Sequence, residues 1–162
     1  MDQALYAPSP TTILHRGCGA GYYTYLIAQL FPGAQIYFVD THPRLVPMAQ
    51  ENLREVQNTS YGDSEANYDL IIQAFGVDRL DQNLLSKMPV GARGIIPVTT
   101  KRMDGEVCEI ERLSQDEVSV RPFMKCRFIG DNKDPNSAEY IQIEPRHQIV
   151  DGVVRFERES RI

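Results

Sequence analysis

The feature that most constrains this chain is a glycine cluster set between a strand-like run and a helix-like run. Thr12-Ile13-Leu14-His15 is short and β-prone, Gly17-Cys18-Gly19-Ala20-Gly21 follows, and Tyr22 to Leu30 carries helical periodicity. Glycines in that position let the backbone turn sharply and let a ligand approach it, while the helix N-terminus presents unpaired N–H groups. Tyr22, Leu26 and Leu30 recur every fourth residue, which lays them along one helical face. The chain breaks at Pro32-Gly33 and then enters Ile36-Tyr37-Phe38-Val39, an apolar strand ending on Asp40.

The same alternation continues. Pro43 suits a helix N-terminus, and Leu45, Met48, Ala49, Leu53 and Val56 recur at helical spacing. A polar stretch from Gln57 to Asn67 precedes a buried-looking strand, Tyr68-Asp69-Leu70-Ile71-Ile72. Arg79 to Met88 reads as a further helix, Pro89 to Ala92 as a turn, and Gly94 to Val98 as a strand. Strands alternating with helices imply βαβ units and a parallel sheet. Beyond Thr100 the pattern changes: Glu106 to Arg112, Val118 to Arg121 and Lys125 to Ile129 look like strands without helices between them. They are expected to add antiparallel strands to the sheet edge. Asp131 to Ser137 is a polar loop, and Tyr140 to Glu144 with Ile149 to Phe156 form a candidate hairpin. The expected class is therefore α/β, with a Rossmann-like, mostly parallel sheet and antiparallel C-terminal strands. Residues 1–130 would form the main domain, and 131–162 a C-terminal extension packed on it as a β-hairpin.

Composition narrows the partners. At 162 residues the chain is the size of one domain. Its net charge of −5, from 17 basic against 22 acidic side chains, argues against a phosphate backbone as main partner. No apolar run is long enough to span a membrane, and no basic, apolar leader opens the chain, so a cytoplasmic protein is expected. Cys18, Cys108 and Cys126 have neither metal-ligand nor disulfide spacing and read as small apolar residues. His42 and His147 lack ligand spacing and read as surface or capping residues, while Asp78 and Asp81 read as helix N-terminal residues. No metal site is expected. No Ser-His-Asp or Cys-His arrangement is legible either, so the sequence assigns no catalytic residue.

The glycine spacing is informative. A dinucleotide fold would place its third glycine at position 22, which is Tyr22. The G-x-G-x-G form here resembles the first motif of S-adenosylmethionine (SAM) methyltransferases. Asp40 ends the second strand, where a carboxylate can accept both ribose hydroxyl hydrogens; it could equally cap the helix near Pro43. Asp63 stands where such methyltransferases contact the adenine amino group, unless it is an ordinary loop aspartate.

The resemblance is most specific to protein-L-isoaspartate O-methyltransferase. That family reads approximately V-L-E-I-G-T-G-S-G-Y, against Ile13-Leu14-His15-Arg16-Gly17-Cys18-Gly19-Ala20-Gly21-Tyr22 here, and Thr24 also matches. A G-D pair appears as Gly62-Asp63, a Y-D pair as Tyr68-Asp69, and the L-K-P-G-G-R-L-I-x-P-V turn-strand as Lys87 to Val98. Val118 to Gly130 resembles the closing strands. The resemblance implies SAM as cofactor, held by Gly17, Cys18, Gly19, Gly21, Tyr22, Asp40 and Asp63, and methyl transfer to a carboxylate of a protein or peptide. A carboxylate is ionised near neutral pH, so no general base is required.

Three departures bear on that expectation. His15 replaces an acid that supports the cofactor's amino-acid end, and Arg16 replaces an apolar residue. Ser9, in Tyr6-Ala7-Pro8-Ser9-Pro10, stands too close to the glycine loop to match the family's N-terminal serine, so a partner chain could supply the missing cap. Gln73-Ala74-Phe75-Gly76 lacks the N/D-P-P-Y/F motif of amino-methyltransferases, which sets that class aside. The alternative to an enzyme is a catalytically inactive relative serving as a structural or binding module.

Overall fold

The computed structural model describes residues 8–63, 67–77, 80–81, 85–99, 104–127, 140–141 and 152–155. In chain order its elements are β1 (Thr12–Arg16), α1 (Tyr22–Leu30), β2 (Gln35–Val39), α2 (Leu45–Asn52), β3 (Thr59–Tyr61), β4 (Leu70–Gln73), β5 (Leu80–Asp81), β6 (Arg93–Thr99), β7 (Asp104–Arg112), β8 (Glu117–Arg127), β9 (Tyr140–Ile141) and β10 (Gly152–Arg155). The main sheet runs β10-β8-β7-β6-β4-β1-β2-β3. Pairing is parallel from β3 through β2, β1 and β4 to β6, then antiparallel through β7, β8 and β10. This is the Rossmann-like sheet with antiparallel C-terminal strands that the sequence predicts. The chain builds outward from β1 to β3, then returns to the other side of β1 at β4. Such a reversal opens a crevice at the C-terminal strand ends, where open α/β sheets bind ligands.

Alternation along the strands sorts side chains onto two faces. Ile13 and Ile36 turn toward α1, where they pack with Ile27, Ala28 and Ala34. Phe38 meets Ala49 and Leu53 on the α2 side. Leu14, Ile71, Tyr68 and Ile96 fill the opposite face with Val118 and Val120. Asn58 fixes the end of α1: its amide donates to the carbonyls of Ala28, Phe31 and Ala34 at 3.1–3.3 Å. The Ala28 carbonyl would otherwise be orphaned, because Pro32 four residues on has no N–H to donate.

Several expectations need correction. The stripe of α1 turned to the core is Thr24, Ile27 and Ala28, while Tyr22 and Leu30 are exposed. Small side chains let the helix approach the sheet, and that outweighs the larger apolar residues. α2 stops at Asn52, before Val56. The polar stretch 57–67 contains the edge strand β3. Arg79 to Met88 is not one helix. Leu80 and Asp81 pair antiparallel with Ile141 and Tyr140, and only Leu85 and Ser86 are helical among the described residues there. Strand pairing overrides local propensity. Arg121 and Lys125 belong to one long strand, β8, with a register shift at Val107/Cys108 opposite Pro122. A proline without an N–H is tolerated at such an irregularity. In the tail, β9 pairs with β5 and β10 with β8, and the rest of 131–162, including the candidate hairpin's turn, lies outside the described residues. Ile129, Asp78 and His147 lie outside the described residues.

Candidate functional site

The chain leaves β1 through Gly17, Gly19 and Gly21, with φ of 76°, 56° and 96°. Side chains rarely adopt these values. The N–H groups of Gly17 and Cys18 both donate to the Val39 carbonyl, at 2.9 and 3.1 Å, so the loop is pinned to the end of β2. Gly19 N–H donates to Asp40 Oδ2 at 2.8 Å, and His42 N–H to Asp40 Oδ1 at 2.8 Å. From the other side, Asn52 donates its amide to the Ala20 carbonyl at 2.8 Å. A Cβ on Gly21 would stand 3.1 Å from Leu53 Cδ1, whereas one on Gly19 would meet nothing within 4 Å. The loop is therefore clamped at both ends and open at its middle. An ionised carboxylate offers about four acceptor positions. Asp40 uses two on backbone N–H groups, which leaves capacity for a diol.

The β4 end of the loop is built differently. A Cβ on Gly17 would lie 2.9 Å from Phe75 Cδ1. Arg16 Nη1 donates to Gln73 Oε1 at 3.0 Å, and Gln73 Nε2 donates to the Phe75 carbonyl at 3.1 Å. The Arg16 guanidinium lies over the Phe75 ring, 5.3 Å from its centroid. Gln73 is buried, a polar side chain at the end of an apolar strand.

Gly17, Cys18, Gly19, Gly21, Tyr22 and Asp40 are thus gathered at one strand end. Tyr22 starts α1 exposed, edge-on to Tyr23 with ring centroids 5.4 Å apart. Cys18 is buried with Phe38 and Leu53, and burial, reinforced by the Asp40 charge, pushes its thiol up to about 11. It stays protonated and unreactive. His42 caps locally, its Nδ1 accepting the Arg44 N–H at 3.3 Å. Asp63 has other partners: Tyr68 donates its hydroxyl to Oδ1 at 2.5 Å and Lys87 approaches Oδ2 at 2.7 Å. Among the described residues its contacts are with these two, not with the glycine loop.

His15 does not face the crevice. It is 1% exposed beneath α1, with Nδ1 2.7 Å from Thr24 Oγ1. Burial lowers its pKa from 6.5 to about 4, against an opposing pull from Asp40, so it is neutral at pH 7. Ser9 sits at the opposite end of the strands, before β1. With Pro8, Pro10, Phe31, Asp69 and Ile95 it lines a cavity of about 830 Å³ near the strand N-termini. Asp69 ties that end together, accepting from Thr11 N–H at 2.7 Å, Thr11 Oγ1 at 2.6 Å and Thr12 N–H at 3.1 Å. The Thr11 hydroxyl is the main reason its carboxyl is held low. Sequence reasoning missed Gln73, Phe75 and Asn52. A lone glutamine closing an apolar strand is the one legible signal among them.

Comparison with known proteins follows the same lines. Residues 4–134 match the family Protein-L-isoaspartate(D-aspartate) O-methyltransferase. A Myxococcus xanthus protein-L-isoaspartate O-methyltransferase is 30% identical over 149 residues, covering 85% of this chain and 69% of the relative. The chain spans about half to two thirds of the length of the curated relatives it matches. A solved protein-L-isoaspartate O-methyltransferase superposes with a TM-score of 0.68 at 18% identity, over 76% of this chain and 42% of that one. A Plasmodium falciparum protein described as an enzyme of this kind, in complex with S-adenosyl-L-homocysteine, gives 0.62 at 14% identity, over 74% and 65%. At these identities the two structures speak to the fold alone.

Proposed function

We propose a function from one premise: this chain belongs to the protein-L-isoaspartate(D-aspartate) O-methyltransferase family. On that basis it binds SAM and transfers methyl to a carboxylate of a protein or peptide, an isoaspartyl side group being the favoured substrate. The observation that carries this reading is the triple positive-φ glycine loop, locked to the end of β2 beside Asp40. It stands at the strand-order reversal of a parallel sheet. The residues present fit the cofactor: the open face at Gly19 admits a ligand against the backbone, and Asp40 retains acceptor capacity for ribose hydroxyls. Gly17, Cys18, Gly21 and Tyr22 shape that loop; Asp63 would reach adenine only by sharing its oxygens with Tyr68 and Lys87.

When bound, SAM supplies an electrophilic methyl group on a sulfonium. The chain's own residues position and enclose. A substrate carboxylate is already ionised near pH 7, so the protein need not take a proton from it. Orientation and exclusion of water carry the rate. No helix among the described residues is long and apolar enough to cross a membrane; action in the cytoplasm, with a second chain covering the crevice, completes the proposal.

One observation favours the inactive module. Position 15 is a neutral histidine buried against Thr24, so β1 offers no carboxylate to a cofactor ammonium. Methyl transfer from labelled SAM to an isoaspartyl peptide, with the aspartyl peptide as control, separates the two. Transfer to the isoaspartyl peptide alone supports the enzyme. S-adenosylhomocysteine binding without transfer to either supports the module.

A further inference from the structure

Arg16 is the last residue of β1, directly before Gly17 and paired in register with Gln73. Its guanidinium is held in two ways, by the hydrogen bond to Gln73 and by the Phe75 ring beneath it. Gln73 is itself fixed by the Phe75 carbonyl, and Phe75 abuts Gly17. A cation is thus fastened beside the glycine loop, on its β4 side. Among the described residues it makes no ion pair and spends one of its donors on the protein. A guanidinium carries five N–H donors in a planar fork that matches a carboxylate with two parallel hydrogen bonds. Holding such a group half-buried without a counter-charge is unfavourable, and an anionic ligand relieves that.

His15, the neighbouring position, is neutral and turned to the other face. The end of β1 therefore carries positive charge beside the glycine loop. A ligand whose amino-acid end carries both an ammonium and a carboxylate would be held there by the carboxylate. We propose that Arg16 binds the α-carboxylate of the cofactor's amino-acid end, oriented by Gln73 and Phe75. The assignment rests on the SAM reading above.

The test measures equilibrium binding of three ligands by calorimetry: S-adenosylhomocysteine, its decarboxylated analogue, and 5′-methylthioadenosine, which lacks the amino-acid end. Arg16→Met keeps length and removes the charge; Arg16→Lys keeps the charge and removes the fork. Arg16→Met should weaken S-adenosylhomocysteine by about 10- to 100-fold while leaving the other two within about twofold. Arg16→Lys should fall between. Unchanged binding of methylthioadenosine also shows that the variant is folded and its loop intact. Equal losses for all three ligands, or no loss for S-adenosylhomocysteine, overturn the assignment. A raised KM for peptide with unchanged S-adenosylhomocysteine affinity overturns it too, by assigning Arg16 to the substrate. If wild-type protein binds S-adenosylhomocysteine and Arg16→Met does not weaken it, this assignment alone fails. If wild-type protein binds none of the three, the SAM reading falls with it.

Discussion

The two ends of the crevice are built on opposite plans. At the β2 end a carboxylate, Asp40, is held by backbone N–H groups of Gly19 and His42. At the β4 end a guanidinium, Arg16, is held by side chains, Gln73 and Phe75. The first end keeps the family's pattern. The second departs from it at Arg16, as β1 does beneath α1 at His15, yet the sheet around both is intact. A parallel sheet tolerates a changed polar group when that group is either paired beneath a helix or fastened at the rim. His15 takes the first course with Thr24, and Arg16 the second. Retaining the fold therefore does not by itself retain the ligand chemistry.

Gly17 joins the two ends, and Gly17→Val attacks both. A branched side chain at positive φ, against Phe75, should cost about 4 kcal/mol of stability and abolish S-adenosylhomocysteine binding. A melt that moves by less than about 2 °C would show the loop to be softer than described. Acid probes the buried histidine of β1 next. His15 binds its proton less readily in the folded state, so its contribution to stability is complete above about pH 6.5 and is lost as pH falls toward about 4. The loss should approach about 3 kcal/mol, and His15→Gln should flatten the urea-unfolding profile across that window. An equal slope in the variant would assign the effect elsewhere. Asp40→Asn isolates the β2 end: affinity for S-adenosylhomocysteine should fall about 10- to 100-fold, with a loss of about 1 kcal/mol in the unliganded protein because the amide nitrogen cannot accept from one of the two N–H groups. A large drop in melting temperature instead would mean that Asp40 chiefly ties down the loop. Asp69→Ala, at the opposite end of the strands, should cost about 1 kcal/mol and leave ligand affinity unchanged. Weakened binding there would break the separation between rim and scaffold.

The β2 end was legible in the sequence and the β4 end was not. A glycine loop between strand and helix, with an acid closing the next strand, is local information, carried by spacing alone. Phe75 and Gln73 act through contacts with Gly17 and Arg16, almost 60 residues away in the chain for the hydrogen-bonded pair, and no local pattern announces them. The Y-D pair illustrates the same limit. Tyr68 and Asp69 carried the family resemblance, but their contacts are scaffold contacts: Tyr68 to Asp63, and Asp69 to Thr11 and Thr12. The inward face of α1 escaped because sheet geometry chose Thr24 and Ala28 over the larger Tyr22 and Leu30. Arg79 to Met88 escaped because β5 is defined by a partner strand some sixty residues later in the chain.

The central claim is that this loop and its two flanking charges form a cofactor site. The melting temperature with and without S-adenosylhomocysteine tests it most directly. At ligand near 100 times the dissociation constant, binding adds about 2.7 kcal/mol, which should raise the midpoint by roughly 5 to 10 °C. An unmoved midpoint at millimolar ligand would contradict the account and leave the glycine loop as a turn that no longer holds a cofactor.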